Sequence, residues 1–359
     1  MQLKLTTAML CISLWQVAAA AVAPQLKLDE YYSYEGMRDY LAELARVYGE
    51  RVTLRSAGLS HEQRMLQTIT ISNGDGRKDK PVIFMIAAEH AREWLTPVAA
   101  LYAIEQLVVN FEQNAQLLLD HDWLIMPLTN PDGYTYSREV NARWRNTRSP
   151  NGNGCYGTNL NRNYDIAWGK AEGYPELQDP CSEHYAGASP FSEAESRAVR
   201  DIMLELQLTE REFMFLTLHS RHQSFFYPWT YKTELAPNAA LLKKVATYAV
   251  DALHAATGCN YTEEQPSVNA DPFGGTSMDY AQELGFKLSY TFELTGWSGK
   301  EYVDFWPPTR LLKQLAAESW IGIRALAEGA EKFVPAQSDS LVKIFKILLL
   351  LVSMTLFSS

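Results

Sequence analysis

Between Pro81 and Ala88 nearly every side chain is apolar, and the run closes on His90-Ala91-Arg92-Glu93. A strand apolar on both faces belongs inside a sheet covered on both sides, which requires helices above and below it. Trp123 to Pro127, Phe213 to Leu218 and Leu288 to Leu294 read as further buried strands, and Met65 to Ser72 alternates in strand fashion. Helical spacing follows Ser33 (Met37, Tyr40, Leu41, Leu44, Val47) and recurs over Leu95 to Phe111, Asn238 to Thr257 and Leu311 to Ala327. Ser192 with Glu195 predicts a capping box for a helix reaching about Gln207. Strands alternating with helices, without repeat or internal linker, predict one α/β domain around a largely parallel or mixed sheet. From Asn130 to Pro190 the chain is rich in Gly, Asn, Pro and Arg with little periodicity, the kind of irregular stretch that carries function.

Both ends read as address labels. Lys4, the apolar stretch Met9 to Trp15 and Ala18-Ala19-Ala20 form a secretory signal over residues 1–20, with cleavage expected near 20–23. At the other end, small residues at Ser338-Asp339-Ser340, a spacer with Lys343 and Lys346 and the apolar tail Ile347 to Phe357 fit a GPI-attachment signal over 338–359. That tail is short for a membrane span, which needs about 20 apolar residues. Roughly 310 residues remain between the ends, enough for one large domain or two small ones; without an internal linker, one domain is expected over 28–330. The net charge of −10 and the lack of a long Lys/Arg run exclude nucleic acid as a partner. In an oxidising compartment Cys155 and Cys181, which bracket one loop-rich stretch, are the expected disulfide; Cys259 is left over. Asn260-Tyr261-Thr262 is a glycosylation sequon, which predicts a surface loop.

His90 and Glu93 form a two-ligand clip for a metal such as zinc, although H-x-x-E alone arises often by chance. His219 closes another predicted strand, and strand ends are where sites assemble in α/β sheets. A lone histidine there is more often structural; its weight comes from its companions. Two histidines and one glutamate leave a fourth zinc position open. Glu293, in Thr291-Phe292-Glu293-Leu294, is a carboxylate at the end of an apolar strand, costly to bury without a task and suited to a general base. Arg162, between Asn161 and Asn163, suits a carboxylate, and Arg145 suits a developing oxyanion. Either arginine alone is equally well explained as a solvated loop residue.

In this order, His90-Ala91-Arg92-Glu93-Trp94, Asn130-Pro131-Asp132-Gly133-Tyr134, Trp144-Arg145, Asn161-Arg162-Asn163, His219-Ser220 and Thr291-Phe292-Glu293-Leu294 resemble the zinc metallocarboxypeptidases of the carboxypeptidase A/B family. The resemblance spans about Tyr31 to Glu328. It implies a single α/β domain with a mixed eight-stranded sheet flanked by helices, one Zn2+ held by His90, Glu93 and His219, and Glu293 as general base. It further implies that Arg145 polarises the scissile carbonyl, Asn161 and Arg162 grip the substrate's C-terminal carboxylate, and Arg92 meets a residue upstream. The expected partners are peptides or proteins with a free C-terminus, met by a monomer. Cys155 and Cys181 match the family's disulfide. With the domain starting soon after the signal and a GPI-type tail, the architecture resembles the carboxypeptidase O type.

Three departures stand out. Asp271 falls where the family usually carries a tyrosine on a mobile loop, Arg221 replaces a second tyrosine, and Thr295-Gly296-Trp297 replaces the usual Arg-Asp-Thr-Gly. Met278 aligns with the position that sets side-chain preference, with Thr230, Phe273 and Thr276 as neighbours. Without a charge at its floor that pocket favours an apolar or aromatic C-terminal residue. The alternative, that Met278 is ordinary core, stays open here.

Overall fold

The computed structural model describes residues 24–170, 175–296, 302 and 304–334; the expected signal and the expected GPI tail lie outside them, as does Trp297. In chain order the elements are α1 (Tyr34–Val47), β1 (Val52–Leu59), β2 (Met65–Ile71), β3 (Val82–Ala87), α2 (Leu95–Val108), α3 (Phe111–Asn114), β4 (Asp122–Met126), α4 (Pro131–Glu139), the hairpin β5 (Pro150–Gly152) and β6 (Cys155–Tyr156), α5 (Ala194–Leu208), β7 (Glu212–Ser220), β8 (Ser224–Phe226), α6 (Ala239–Thr257), β9 (Thr262–Glu264), α7 (Pro266–Asn269), α8 (Ser277–Glu283), β10 (Leu288–Leu294) and α9 (Leu312–Phe333). Eight strands make one mixed sheet in the order β1-β2-β4-β3-β7-β10-β8-β9. The central strands β4, β3, β7 and β10 run parallel. On one side β2 and β1 alternate in direction; on the other, β8 is antiparallel to β10 and β9 parallel to β8.

Strand β3 is buried at every position. Its alternate residues explain why: Ile83, Met85 and Ala87 pack into the larger core with α2, α6 and α9, whereas Val82, Phe84 and Ile86 enter a smaller core with Val199 and Met203 of α5 and Ala281 of α8. Both faces are therefore covered, as an all-apolar strand requires. Helix α1 begins just after Ser33, which caps it: Ser33 Oγ accepts from Gly36 N at 3.0 Å. Asn260 is exposed, in keeping with a surface sequon.

Four expectations need correction. The stretch 130–190 is not wholly irregular: α4 starts there, with Asn130 accepting from Gly133 N at 2.9 Å and Pro131 in the first turn. Cap chemistry rather than apolar periodicity marks that helix. Strands β1, β8 and β9 carry no apolar run long enough to read, since β1 is mostly exposed and the other two have three residues each. Helix α9 runs past Ala327 to Phe333. The capping box at Ser192 does not form: the helix is capped at Glu193, without a side-chain hydrogen bond. Ser192 Oγ is taken by Glu193 Oε1 at 2.9 Å and by Asn163 Nδ2 at 2.9 Å.

Glu195, freed from that role, is wholly buried, and neither carboxylate oxygen has a hydrogen-bond partner. Burial pushes its carboxyl up to about 8, with Glu193 and Asp132 adding to the effect. A carboxyl raised in the fold contributes stability that is complete below its unfolded value of about 4.5 and is lost as pH rises through about 8. The loss across that window is of order 5 kcal/mol. Glu195→Gln is therefore expected to raise the melting temperature clearly at pH 8 and only slightly at pH 5. An identical shift at both pH values in thermal unfolding would refute the assignment.

Candidate active site

Because β3, β7 and β10 are parallel neighbours, their C-terminal ends share one edge of the sheet. His90 lies just beyond β3, His219 near the end of β7 and Glu293 near the end of β10, in register with His219. The chain turns out of β3 at Ala88, whose φ of 58° lies in the left-handed region. Two other segments hold the turn that follows. Asn130 Nδ2 donates to Glu89 O at 3.2 Å and to Asn146 O at 3.1 Å, and Ala91 N donates to Arg145 O at 2.9 Å. Gly133 must be glycine here, because a Cβ would meet Asn146 O at 2.3 Å. Thr96 Oγ1 accepts from Ala88 N at 3.0 Å and donates to Glu93 O at 2.9 Å, which fixes His90 and Glu93 on one side of the turn.

The structure brings His90, Glu93 and His219 together, all buried, with ligand atoms within 4.8 Å of one another. His90 Nδ1 is 2.8 Å from Glu93 Oε1, and His219 Nδ1 is 3.0 Å from His90 Nδ1 and 3.1 Å from Glu93 Oε2. Two imidazole nitrogens at that separation cannot both carry a proton. Burial and then Arg145 hold His90 well below the usual imidazole range. Burial alone would also lower His219, but Glu93 and Glu89 reverse it and raise the ring above that range. Burial opposes charge on Glu93, yet the two histidines keep its carboxyl depressed. The outer nitrogens are already occupied: His90 Nε2 lies 3.0 Å from Asn159 Oδ1 and His219 Nε2 lies 3.1 Å from Glu89 Oε2. Both rings thus turn Nδ1 inward, and two nitrogens and a carboxylate facing one point fit a zinc ion that would take the place of the inward proton of His219.

Glu293 stands beside this cluster. Burial pushes its carboxyl up to about 7, opposed by His219 and reinforced by Glu93. Arg145 Nη1 is 3.6 Å from Glu93 Oε1. Burial lowers its pKa, and the charge of Glu93 opposes that shift. Asn161 Nδ2 comes within 3.5 Å of His219 Nε2, and its Oδ1 accepts from Ser277 N at 3.0 Å. The Arg162 guanidinium lies over the Phe273 ring at 3.9 Å, and its Nη1 donates to Asn161 O at 2.6 Å. Asn163 points away and instead ties the backbone at Ala186 and Ser189. Gly275 allows the 270–276 loop to lie against this segment, since a Cβ would meet Arg162 O at 2.2 Å.

Met278 is buried but belongs to neither apolar core. Beside it Thr230 Oγ1 and Thr276 Oγ1 are 3.2 Å apart, and Asp279 accepts from Thr230 N at 2.9 Å and from the Thr230 hydroxyl. Asp271 is exposed and borders a surface hollow with Lys170, Lys232 and Glu234. Arg92 pairs with both oxygens of Glu183, at 2.8 and 3.3 Å. Its guanidinium lies 4.6 Å from the Phe305 ring, which Arg221 also approaches at 4.7 Å while bonding Asp304. Cys155 and Cys181 are disulfide-bonded and Cys259 is free, as expected.

Two residues of the site were not picked out from the sequence. Glu89, between an apolar strand and His90, carries the same signal as Glu293: an acid whose burial needs a reason. Asn159 carries no such signal, because an asparagine in a loop is commonplace.

Comparison with known proteins agrees with this geometry. Residues 37–322 match the family profile described as zinc carboxypeptidase, peptidase M14. Carboxypeptidase B of Helicoverpa zea is 36% identical over 312 residues, covering 83% of this chain and 70% of that protein. Carboxypeptidase B of Astacus astacus is 35% identical over 302 residues, covering 83% and 96%. Among solved structures, carboxypeptidase A from Helicoverpa armigera superposes with a TM-score of 0.80 at 31% identity, covering 86% of this chain and 76% of that one.

Proposed function

The chain belongs to the M14 family of zinc carboxypeptidases, and from that premise we propose that it releases one amino acid from the free C-terminus of peptides, with zinc held by His90, Glu93 and His219. The observation that carries this reading is the convergence of those three side chains beside Glu293 at one edge of the sheet. Zinc, when bound, supplies a Lewis acid for the scissile carbonyl and lowers the pKa of water. Asn161 and Arg162 take the terminal carboxylate, the arginine by paired N–H donors. That grip sets the last peptide bond against Glu293. Arg145 donates to the carbonyl oxygen as negative charge builds on it. Glu293 accepts a proton from the attacking water and passes it to the leaving nitrogen as the C–N bond breaks. Arg92 meets a residue upstream.

The test is release of amino acids from blocked dipeptides by secreted residues 24–337, with and without a chelator. Chelator-sensitive release supports the proposal. One zinc bound per chain with no release from any substrate would instead favour a catalytically impaired peptide-binding protein, the alternative that Asp271 and Arg221 motivate.

The C-terminal residue released is, on this reading, apolar or aromatic. Met278 sits outside both cores, and Asp279 is engaged by Thr230 rather than offered to a cationic guest. Met278→Asp is expected to lower kcat/KM for a C-terminal Phe by about 100-fold and to raise it for Lys, as burial of an unpaired charge dictates. Unchanged Phe-to-Lys ratios would refute Met278 as a pocket residue. Asp271, on the loop beside Phe273, is expected to weaken substrate binding.

A disulfide is in keeping with a secreted protein. We place the chain outside the cell as a monomer, GPI-anchored through 338–359, as in the carboxypeptidase O type. Among the described residues no helix is long and apolar enough to cross a membrane.

A further inference from the structure

Glu89 is wholly buried, and its carboxylate accepts from four side chains. These are His219 Nε2 at 3.1 Å and the hydroxyls of Tyr164, Thr217 and Ser277 at 3.0, 2.9 and 2.9 Å. Three neutral hydroxyls orient the carboxylate without cancelling its charge. A buried carboxylate persists where positive charge balances it, and here the route to positive charge runs through the His219 ring. The other ligand histidine has a different outer partner, since Asn159 offers His90 Nε2 only a neutral amide oxygen.

We propose that Glu89 is a positioning residue for the metal centre: it holds the His219 ring with Nε2–H outward and Nδ1 inward, and strengthens His219 as the dominant histidine donor. The inference rests on the zinc reading given above. Metal-bound histidines that hydrogen-bond a carboxylate are fixed in tautomer and made more basic, and loss of such a partner weakens metal binding about 10- to 100-fold. Glu89 also reaches the substrate side. Ser277 Oγ donates to Glu89 while Ser277 N donates to Asn161 Oδ1 at 3.0 Å. One carboxylate therefore sets both a metal ligand and an asparagine of the carboxylate grip.

The experiment measures zinc affinity by chelator competition for the full secreted protein, for Glu89→Gln and for the double variant Glu89→Gln/Asn159→Asp. Melting temperatures of the metal-free forms and the visible spectrum of each cobalt-substituted form are recorded alongside. Glu89→Gln is expected to weaken zinc binding about 10- to 100-fold and to shift the cobalt bands. Asn159→Asp in that background is expected to recover most of the affinity by giving His90 the carboxylate that His219 lost. A purely structural Glu89 would lower the metal-free melting temperature but leave affinity and spectrum unchanged, which would overturn the proposal. Should Glu89→Gln fail to fold, Asn159→Asp alone decides: tighter zinc supports the mechanism and unchanged affinity overturns it. A wild-type protein that binds no zinc would sink the metal reading itself, whereas tight wild-type binding with an unaffected Glu89→Gln would sink only the role of Glu89.

Discussion

Glu293→Gln is expected to leave a folded protein that still binds zinc and peptide but turns over about 10³- to 10⁴-fold more slowly, the upper part of the range for a general acid–base residue. That factor corresponds to about 4–5.5 kcal/mol of lost transition-state stabilisation. The change is nearly isosteric, so the end of β10 keeps its packing against β7, where Glu293 is in register with His219. What is lost is the ability to accept a proton. Burial pushes the carboxyl up to about 7 against the pull of His219 and Arg145, and a bound zinc pulls it lower by favouring the ionised form. The reaction needs the carboxylate, so kcat/KM is expected to fall as pH drops through a value below about 7, and this acid limb is expected to vanish in the variant. Single-turnover rates across pH, with zinc content measured on the same samples, check both points. A variant that keeps more than a tenth of wild-type kcat would remove Glu293 from its role.

The sheet's centre was legible because its strands are buried on both faces, and an unbroken apolar run such as Val82–Ala87 has no other stable placement. Three other strands escaped notice because β1 is mostly exposed and the three-residue β8 and β9 are too short to carry a period. The metal cluster was legible because histidine and glutamate at strand ends are chemically costly choices. Glu89 bears the same mark but was overshadowed by its neighbour His90. Ser192 and Glu195 matched a local capping pattern that lost to longer-range bonds: Asn163, 29 residues away in sequence, takes the serine hydroxyl. Local patterns therefore succeeded where burial enforced them and failed where polar side chains had a choice of partners.

Arg162→Leu is expected to lower kcat/KM for free peptides by about 10³-fold while barely changing the slow cleavage of the same peptides amidated at the C-terminus. A hydrogen bond to a charged group contributes about 1.5–3 kcal/mol, and a guanidinium can give a carboxylate two of them. Their sum spans roughly two to four decades in rate. The structure favours a strong effect because the guanidinium is held in place: Phe273 lies against its face at 3.9 Å, and the glycine loop packs on its backbone. A pre-oriented fork loses little entropy on gripping its ligand. Most of the loss is expected in KM, with a smaller fall in kcat as the last peptide bond loses its register against Glu293. Arg145 cannot substitute, being drawn towards Glu93 at 3.6 Å. Kinetics on paired free and amidated peptides separate the possibilities. Equal discrimination by wild type and variant would mean that another cation reads the terminal carboxylate, and the direction in which peptides enter this cleft would have to be reconsidered.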